Sequence, residues 1–358
     1  MKVRILGLFV CICVALQFCP PAAAQGGGPG QKLAEESLTL FQQGKYEQSI
    51  KVAQQGLELS EGKLGPQHPA VGAFLNRMAE GYRMQARFAL AEPLFARSLA
   101  IREKALGPNH LLVSQSLTNI GMMRIAQGRH EEAEAVLKRG LAIREREAGA
   151  EAPAVALSLS ALARVAALDG RGAAAEAMLK RAVAIEEKAN GPMHPELARV
   201  LANLGALYLQ ERSFAEAEAA YKRSIEIGDK AAGGKHPLMA EPLTGLAEVY
   251  REQGRLDEAL ALYKRATALV DDSLDRGHPR MAASLAGAAS VYALQADFDG
   301  AEALYREALR VREAALGPEH PETARTLELL AAVLIRMNQP AEAAKLTARA
   351  EQINALRR

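Results

Sequence analysis

Apolar residues recur along this chain at spacings of three and four, which is the period of an amphipathic α-helix. In the segment 196–211, for example, one helical face collects Leu197, Leu201, Leu204 and Tyr208. After a three-residue turn, a second pattern of the same period follows. The sequence therefore predicts two helices joined by a short turn in this stretch.

This helix pair belongs to a repeat of 42 residues that no insertion or deletion interrupts. Leucine recurs at Leu75, Leu117, Leu159, Leu201, Leu243, Leu285 and Leu327, and alanine recurs at Ala91, Ala133, Ala175, Ala217, Ala259, Ala301 and Ala343. Because one helix pair cannot bury its apolar stripe alone, such self-similarity predicts an array of stacked pairs.

Histidine follows the same period. The series is His68, His110, His194, His236, His278 and His320, with Ala152 at the missing place, and Pro follows in five of the six cases. Residues one repeat apart are separated by two helix layers of about 8–10 Å each, which is too far for them to share a metal ion. We expect each histidine to cap a helix end. His130 lies off the series, and we expect it to pack at a turn.

The residues of one repeat resemble the tetratricopeptide repeat, and the match is carried by Leu201, Gly205, Tyr208, Ala217, Tyr221 and Ser224. The 42-residue length and the phrase Leu-Gly-Pro-x-His-Pro at 64–69 and 316–321 resemble the longer subtype of kinesin light chains and many bacterial proteins. The resemblance implies an all-α fold, a right-handed α-solenoid of tandem helix–turn–helix repeats.

We expect residues 1–24 to be a signal peptide, 25–30 a flexible leader and 31–357 eight tandem repeats. The repeat at 156–189 is weak, because it has no linker histidine and reads Gly-Arg-Gly at its turn. We expect this repeat to be the least rigidly packed part of the array.

The first 24 residues have two basic residues near the start, an apolar run over 5–18 and an Ala-x-Ala end. This pattern is typical of a secretory signal peptide and predicts a periplasmic or secreted protein. A lipoprotein acylated on Cys19 is the rival interpretation, which the bulky Phe18 disfavours. All 3 cysteines lie in this segment, so the rest of the chain has no thiol for a disulfide or a metal.

The remaining composition excludes several function classes. The 44 basic and 42 acidic residues nearly balance, unlike the basic excess of a nucleic-acid binder. After the first segment, no second long apolar run predicts a membrane span. We find no nucleophile with a base, no phosphate loop and no metal motif, and we expect a protein that is not an enzyme and needs no cofactor.

The resemblance implies that the first helices of the pairs line a concave groove, which predicts a scaffold or adaptor that binds a peptide or protein segment. Amides suit the backbone of an extended peptide, because they both donate and accept hydrogen bonds. An alternative function is a sensor or regulatory subunit that binds a small ligand or modulates a partner enzyme. An alternative interpretation of the residues named next is that they are simply polar residues of the groove, without a specific role in binding. The predicted partner-binding residues are Asn119 and Asn203 as amides, Arg164 and Arg199 for a carboxylate, Met122 for an apolar side chain, and Gln115 and Arg77 beside them.

Overall fold

The computed structural model describes residues 29–232, 239–273 and 277–356 of the 358-residue chain. These residues form helices joined by short turns, and no strand occurs among them. The predicted all-α fold of tandem helix–turn–helix repeats is confirmed. In chain order the helices are α1 (Pro29–Gln42), α2 (Tyr46–Leu64), α3 (Pro69–Met84), α4 (Phe88–Leu106), α5 (Leu111–Ala126), α6 (His130–Ala148), α7 (Pro153–Leu168), α8 (Gly172–Asn190), α9 (Pro195–Gln210), α10 (Phe214–Ala232), α11 (Ala240–Glu252), α12 (Leu256–Ser273), α13 (Pro279–Leu294), α14 (Phe298–Leu316), α15 (Pro321–Arg336) and α16 (Pro340–Ala355).

The chain divides into two compact units, which are described separately below: unit 1 ends at Leu207 and unit 2 begins at Tyr208. In unit 1, successive helices from α1 to α8 pack against one another, and α1, α3, α5 and α7 also contact each other in turn. We call the surface formed by the odd-numbered helices of unit 1 the first-helix face. The weak repeat at 156–189 lies inside unit 1, and the division falls one repeat further along the chain.

Five periodic histidines stand at the start of a first helix. In each case the imidazole Nδ1 accepts a hydrogen bond from the backbone N–H two residues later, at 3.1–3.3 Å. This bond satisfies one of the N–H groups that an α-helix leaves open at its N-terminus. The predicted capping role is confirmed for His68, His110, His194, His278 and His320. His236 lies outside the described residues.

The turn inside each helix pair places one residue in the left-handed region, with φ between 55° and 77°. Glycine adopts this conformation at little cost, whereas a residue with a Cβ loses about 1 kcal/mol or more. The chain uses both kinds of residue at this position of the period, which is occupied by Gly44, Ala86, Gly128, Gly170, Arg212, Gly254, Ala296 and Asn338.

The core of unit 1 depends on small residues where helices cross. Ala79, Ala91 and Ala133 are 0% exposed. A Cβ added at Gly121 of α5 would lie 2.5 Å from Cγ of Leu137 on α6, which is closer than two carbon atoms can approach. The periodic small residues therefore set the distance between helices, and larger side chains would force the helices apart.

Buried arginines connect second helices to the following first helix in unit 1. Arg102 of α4 is 4% exposed and donates from Nη1 to the carbonyl oxygen of Leu112 at 3.0 Å and to Oγ of Ser116 at 2.8 Å. Arg144 of α6 donates to Oγ of Ser158 at 2.6 Å. Burial lowers the pKa of both guanidinium groups to about 10, so both remain charged at neutral pH.

Unit 2 repeats the same construction with larger side chains. Tyr263 of α12 is 0% exposed, and its hydroxyl donates to Oε2 of Glu248 at 2.6 Å. A Cβ added at Gly287 of α13 would lie 2.2 Å from Cε1 of the same ring. Arg312 of α14 has the period position of Arg102 and donates to the carbonyl oxygen of Glu322 at 3.1 Å.

The predicted signal peptide, 1–24, lies outside the described residues. Helix α1 begins at Pro29, so the last two residues of the predicted leader, 25–30, are helical. Among the helices in the described ranges, none has both the length and the hydropathy needed to cross a membrane.

Candidate functional site

Asn119 belongs to a closed network on the first-helix face. Its Nδ2 donates to Oδ1 of Asn76 at 3.1 Å and to Oε1 of Glu80 at 2.9 Å. The other oxygen of Glu80 accepts a bond from Nη1 of Arg77 at 2.9 Å. Each of the four residues is at most 5% exposed. We call Asn76, Arg77, Glu80 and Asn119 the closed cluster, because its carboxylate already has a donor at each oxygen.

Four of the predicted partner-binding residues already make contacts within the chain, and their predicted role stays a prediction. Asn119 and Arg77 donate hydrogen bonds within the closed cluster. Oε1 of Gln115 accepts a bond from Arg102 at 3.3 Å. Met122 is 4% exposed and lies in a core cluster with Leu162 and Val165.

Arg199 and Asn203 lie one turn apart on α9, where the surroundings differ. Asn203 is 2% exposed, and its Nδ2 has no hydrogen-bond acceptor within the described residues. Nε of Arg199 donates to Oε2 of Glu196 at 2.9 Å, while its Nη1 has no acceptor in that same part of the chain. The Arg199 side chain is 9% exposed. Both donors are therefore largely withdrawn from solvent without an internal bond.

Ser160 of α7 is a third buried polar group of this kind. It is 2% exposed, and its Oγ has no hydrogen-bond partner in the described ranges. We call Ser160, Arg199 and Asn203 the open cluster, because they have the period positions of Asn76, Gln115 and Asn119. Arg164, also on α7, is half-buried and has interactions of its own within the chain. The structure thus brings the predicted residues Arg199 and Asn203 together on one helix.

Sequence reasoning did not find Ser160 or Glu186. Glu186 of α8 is 1% exposed and accepts a hydrogen bond from Nδ2 of Asn190 at 2.7 Å. Burial raises the pKa of this carboxyl above its usual value, and Glu196 adds to the effect while Arg199 opposes it. The available signal was the period: Glu186 occupies the position of Arg102 and Arg144 in earlier repeats.

His130 has a different role from the packing role predicted for it. It begins α6, and its Nδ1 lies 2.6 Å from Oδ1 of Asp169, the residue that directly follows α7. The other oxygen of Asp169 accepts a bond from Arg171 at 3.0 Å. His130 therefore makes a half-exposed polar contact between two turns, because Asp169 presents its carboxylate at the opposite turn.

In unit 2 the charged residues of the first helices form pairs. Nε of Arg280 lies 2.9 Å from Oε1 of Glu241. Arg251 is paired with both Glu248 and Glu252. Across the described part of both units, no group of three or more His, Cys, Asp or Glu side chains is placed to hold a metal ion. Buried polar atoms without a partner among the described residues also include Nε of Arg83, Nε of Arg124 and the hydroxyl of Tyr221 in unit 2; on α9, those of Arg199 and Asn203 lie one helical turn apart.

Several solved structures are similar to this chain. A Rap protein in complex with the competence and sporulation factor matches with a TM-score of 0.60 and 13% identity, over 92% of this chain and 99% of that one. BtubC (BKLC) from P. vanneervenii matches with a TM-score of 0.52 and 18% identity, over 64% and 90%. Kinesin-light-chain TPR-like repeats from Podosopora anserina give 0.48 and 25% identity, over 57% and 96%. These similarities concern the fold.

No curated protein matches the sequence. The model of the tetratricopeptide repeat family matches residues 37–104, 71–146, 154–230, 209–272 and 273–354. These matches span nearly all of the described helices, in agreement with the period, the histidine caps and the buried small residues. The chain belongs to the tetratricopeptide repeat family.

Proposed function

We propose that this protein is a non-catalytic scaffold or adaptor, and that the first-helix face of unit 1 binds a segment of a partner protein at the open cluster. Tetratricopeptide repeats generally mediate protein–protein interaction. The observation that carries the proposal is the pair of buried donors on α9, Nη1 of Arg199 and Nδ2 of Asn203, which have no acceptor in the described residues.

Free energy explains why such donors indicate a ligand. A buried donor without an acceptor costs about 1–3 kcal/mol, and more if the group is charged. Proteins therefore pair nearly all such groups, and a local excess of unpaired donors needs a reason. A bound segment that supplies acceptors recovers this free energy on binding, so affinity and specificity both arise from the same groups.

A display experiment tests the location. A library of random dodecapeptides on phage is selected on the full chain, and the recovered peptides are measured against variants by fluorescence anisotropy. We expect Arg199→Ala and Asn203→Ala each to weaken binding about tenfold, which is the effect of a lost hydrogen bond to a buried group.

The matched control is Arg139→Ala. Arg139 of α6 makes an exposed ion pair with Oε1 of Glu103 at 2.6 Å, away from the first-helix face. Such a pair contributes little to stability. The control variant should bind the recovered peptides as the wild type does. Equal binding by all the variants would show that the recovered peptides use another surface and would overturn the assignment.

We also propose export from the cytoplasm, supported by the signal-peptide pattern of residues 1–24. A fusion of residues 1–30 to an alkaline phosphatase lacking its own signal should give periplasmic activity in a bacterial host. A fusion in which the apolar run 5–18 carries two added lysines is the control, and equal activity of the two fusions would contradict export.

A further inference from the structure

The five histidine caps share one chemical requirement. In each of them, Nδ1 of the imidazole accepts a hydrogen bond from the backbone N–H two residues later, at 3.1–3.3 Å. A ring nitrogen accepts such a bond only while it carries no proton of its own. Histidine ordinarily takes up its second proton near about pH 6.5, after which both ring nitrogens are donors. Each cap therefore exists only while its imidazole is neutral.

Protonation has a second cost at the same place, and this cost is largest at His110. A cation is unfavourable at the N-terminus of any helix, because the aligned peptide dipoles leave a partial positive charge there. Arg102 of α4 donates from Nη1 to the carbonyl oxygen of Leu112, the residue whose N–H the cap binds. Arg139 of α6, which is paired with Glu103, donates to the carbonyl oxygen two residues before the histidine at 3.3 Å. A protonated His110 would thus meet positive charge from α4, α5 and α6.

His194 lies among acidic groups, in contrast to His110. Glu186 of α8 interacts electrostatically with His194 and with Glu196, which follows the histidine by two residues on α9. Arg199 is paired with Glu196 and offsets part of this negative charge. An imidazolium is therefore less unfavourable at His194 than at His110.

The other three capped junctions carry charges of both signs. Their ion pairs are Arg97–Glu61 at His68, Arg280–Glu241 at His278, and Arg312–Glu322 and Arg349–Glu313 at His320. At His278, Asp271 and Glu307 stand at the period positions that Glu103 and Arg139 have at His110. Because opposite charges nearly balance at His68 and His320, the lost cap and the helix dipole decide the effect of protonation there.

We propose that the capping histidines make the array sensitive to acid, so that mildly acidic pH removes the caps and loosens the first turns of the capped helices. The unfolded chain has no helix to cap and therefore binds these protons more readily than the folded chain. The stability that a cap contributes is thus fully present above about pH 6.5 and is lost as the pH falls below that value. Because α3, α5 and α9 form part of the first-helix face, acid loosens this face. The inference does not depend on binding at the open cluster.

The junction before α7 offers a matched test within the same chain. Ala152 has the period position of the histidines, and α7 begins there without a side-chain cap. The backbone angles of Ala152, φ −74° and ψ 144°, are close to those of His68, φ −73° and ψ 141°. Ala152→His should therefore add a cap that acid removes. Ala152→Asn should add a cap that acid leaves in place, because the asparagine side chain caps helices and does not titrate.

Unfolding of the full chain by urea is measured at roughly pH 7.5 and roughly pH 5.5. Each histidine cap should raise the equilibrium constant for unfolding by up to about tenfold over this interval, because the lower pH lies about one unit below the ordinary value for histidine. We expect this rise to be several-fold larger in Ala152→His than in Ala152→Asn. His110→Asn should remove more of the acid loss of the wild type than His194→Asn does. His130→Asn is the control and should keep the whole loss, because its Nδ1 contacts Asp169 rather than a backbone N–H.

Amide hydrogen exchange on the wild type, corrected for the intrinsic pH dependence of exchange, gives a local measurement that needs no variant. The Leu112 amide should lose protection between the two pH values, whereas the first turn of α7 should not. Unchanged protection of Leu112 would overturn the inference, even if a variant failed to fold. Equal acid loss in Ala152→His and Ala152→Asn, or an undiminished loss in His110→Asn, would overturn it as well.

Discussion

Asn119 and Asn203 have the same position in the 42-residue period, and the structure gives them opposite states. Asn119 is bonded to Asn76 and Glu80, whereas Nδ2 of Asn203 has no acceptor in the described residues. The backbone is alike at both places, so the difference comes from the side chains one repeat earlier. The comparison teaches that the hydrogen bonding of such an asparagine depends on the side chains of the preceding repeat rather than on its own residue type.

The largest expected effect comes from opening the closed cluster. Glu80→Ala removes the acceptor of both Arg77 and Asn119 and leaves a buried guanidinium without its partner. Breaking such a pair costs about 3–5 kcal/mol. We expect the free energy of unfolding to fall by about that amount in urea titrations followed by circular dichroism. A loss as small as that of the exposed control Glu103→Ala would show that the closed cluster carries no stability.

The second prediction sets the two asparagines against each other. Asn119→Leu removes two bonds and leaves Oε1 of Glu80 and Oδ1 of Asn76 without a donor, so stability should fall by about 3 kcal/mol. Asn203→Leu removes a donor that is already unsatisfied, so stability should be unchanged or rise by about 1 kcal/mol. The pair of urea titrations gives a difference in sign. Equal losses in the two variants would contradict the distinction between a closed and an open cluster.

The third prediction concerns pH near the open cluster. Because burial raises the pKa of Glu186, the folded state holds this proton more tightly than the unfolded state. The contribution of Glu186 to the free energy of unfolding is therefore greatest below the ordinary carboxyl pKa of about 4.3, and it is lost as the pH rises through the raised pKa of the folded state. Glu186→Gln should remove this contribution. The melting temperatures of variant and wild type are compared from roughly pH 4 to pH 7, and parallel curves would contradict the assignment.

The smallest expected effect comes from substitutions in the turns beside each cluster. These substitutions change the stability of the fold and leave the polar groups of the clusters in place. Ala86→Gly relieves a left-handed alanine after α3 and should add up to about 1 kcal/mol. Gly170→Ala introduces the same strain after α7 and should remove about 1 kcal/mol. Melting temperatures that move in these opposite directions, with peptide affinity unchanged, separate the stability of each region from its binding.

Much of the fold follows from the sequence. The period predicts the helix pairs, and the caps at His68, His110 and His194 follow because Nδ1 of histidine reaches the first turn of a helix. The state of Asn119 did not follow, because it depends on Asn76 and Glu80 in the preceding repeat. A comparison of Asn119 with the first helix of the preceding repeat would have indicated the closed cluster, because Arg77 and Glu80 lie three residues apart on one face of that helix.

Ser160 and Met122 show the other limit. A serine in a helix is ordinarily satisfied by a backbone carbonyl or by solvent, so its residue type gives no sign of an unpaired hydroxyl. The register of Met122 predicts a groove position, but its side chain packs in a core cluster with Ala133, Ala161 and Leu162. Both outcomes depend on volumes and distances between helices, which a pattern of residue types does not contain.

Histidine caps and glycine helix ends recur at the junctions between helix pairs, and this recurrence bears on the gain or loss of whole repeats. Each of α2, α4, α6, α8 and α14 ends at a glycine with φ between 84° and 100°, and the start of the next helix follows at a fixed distance. Removal of one period between two such glycines rejoins an end to a start of the same chemistry. Duplication or loss of whole repeats between these described glycines therefore rejoins similar ends, whereas clusters shared between neighbouring repeats, such as Asn119 with Glu80, depend on the order of the repeats.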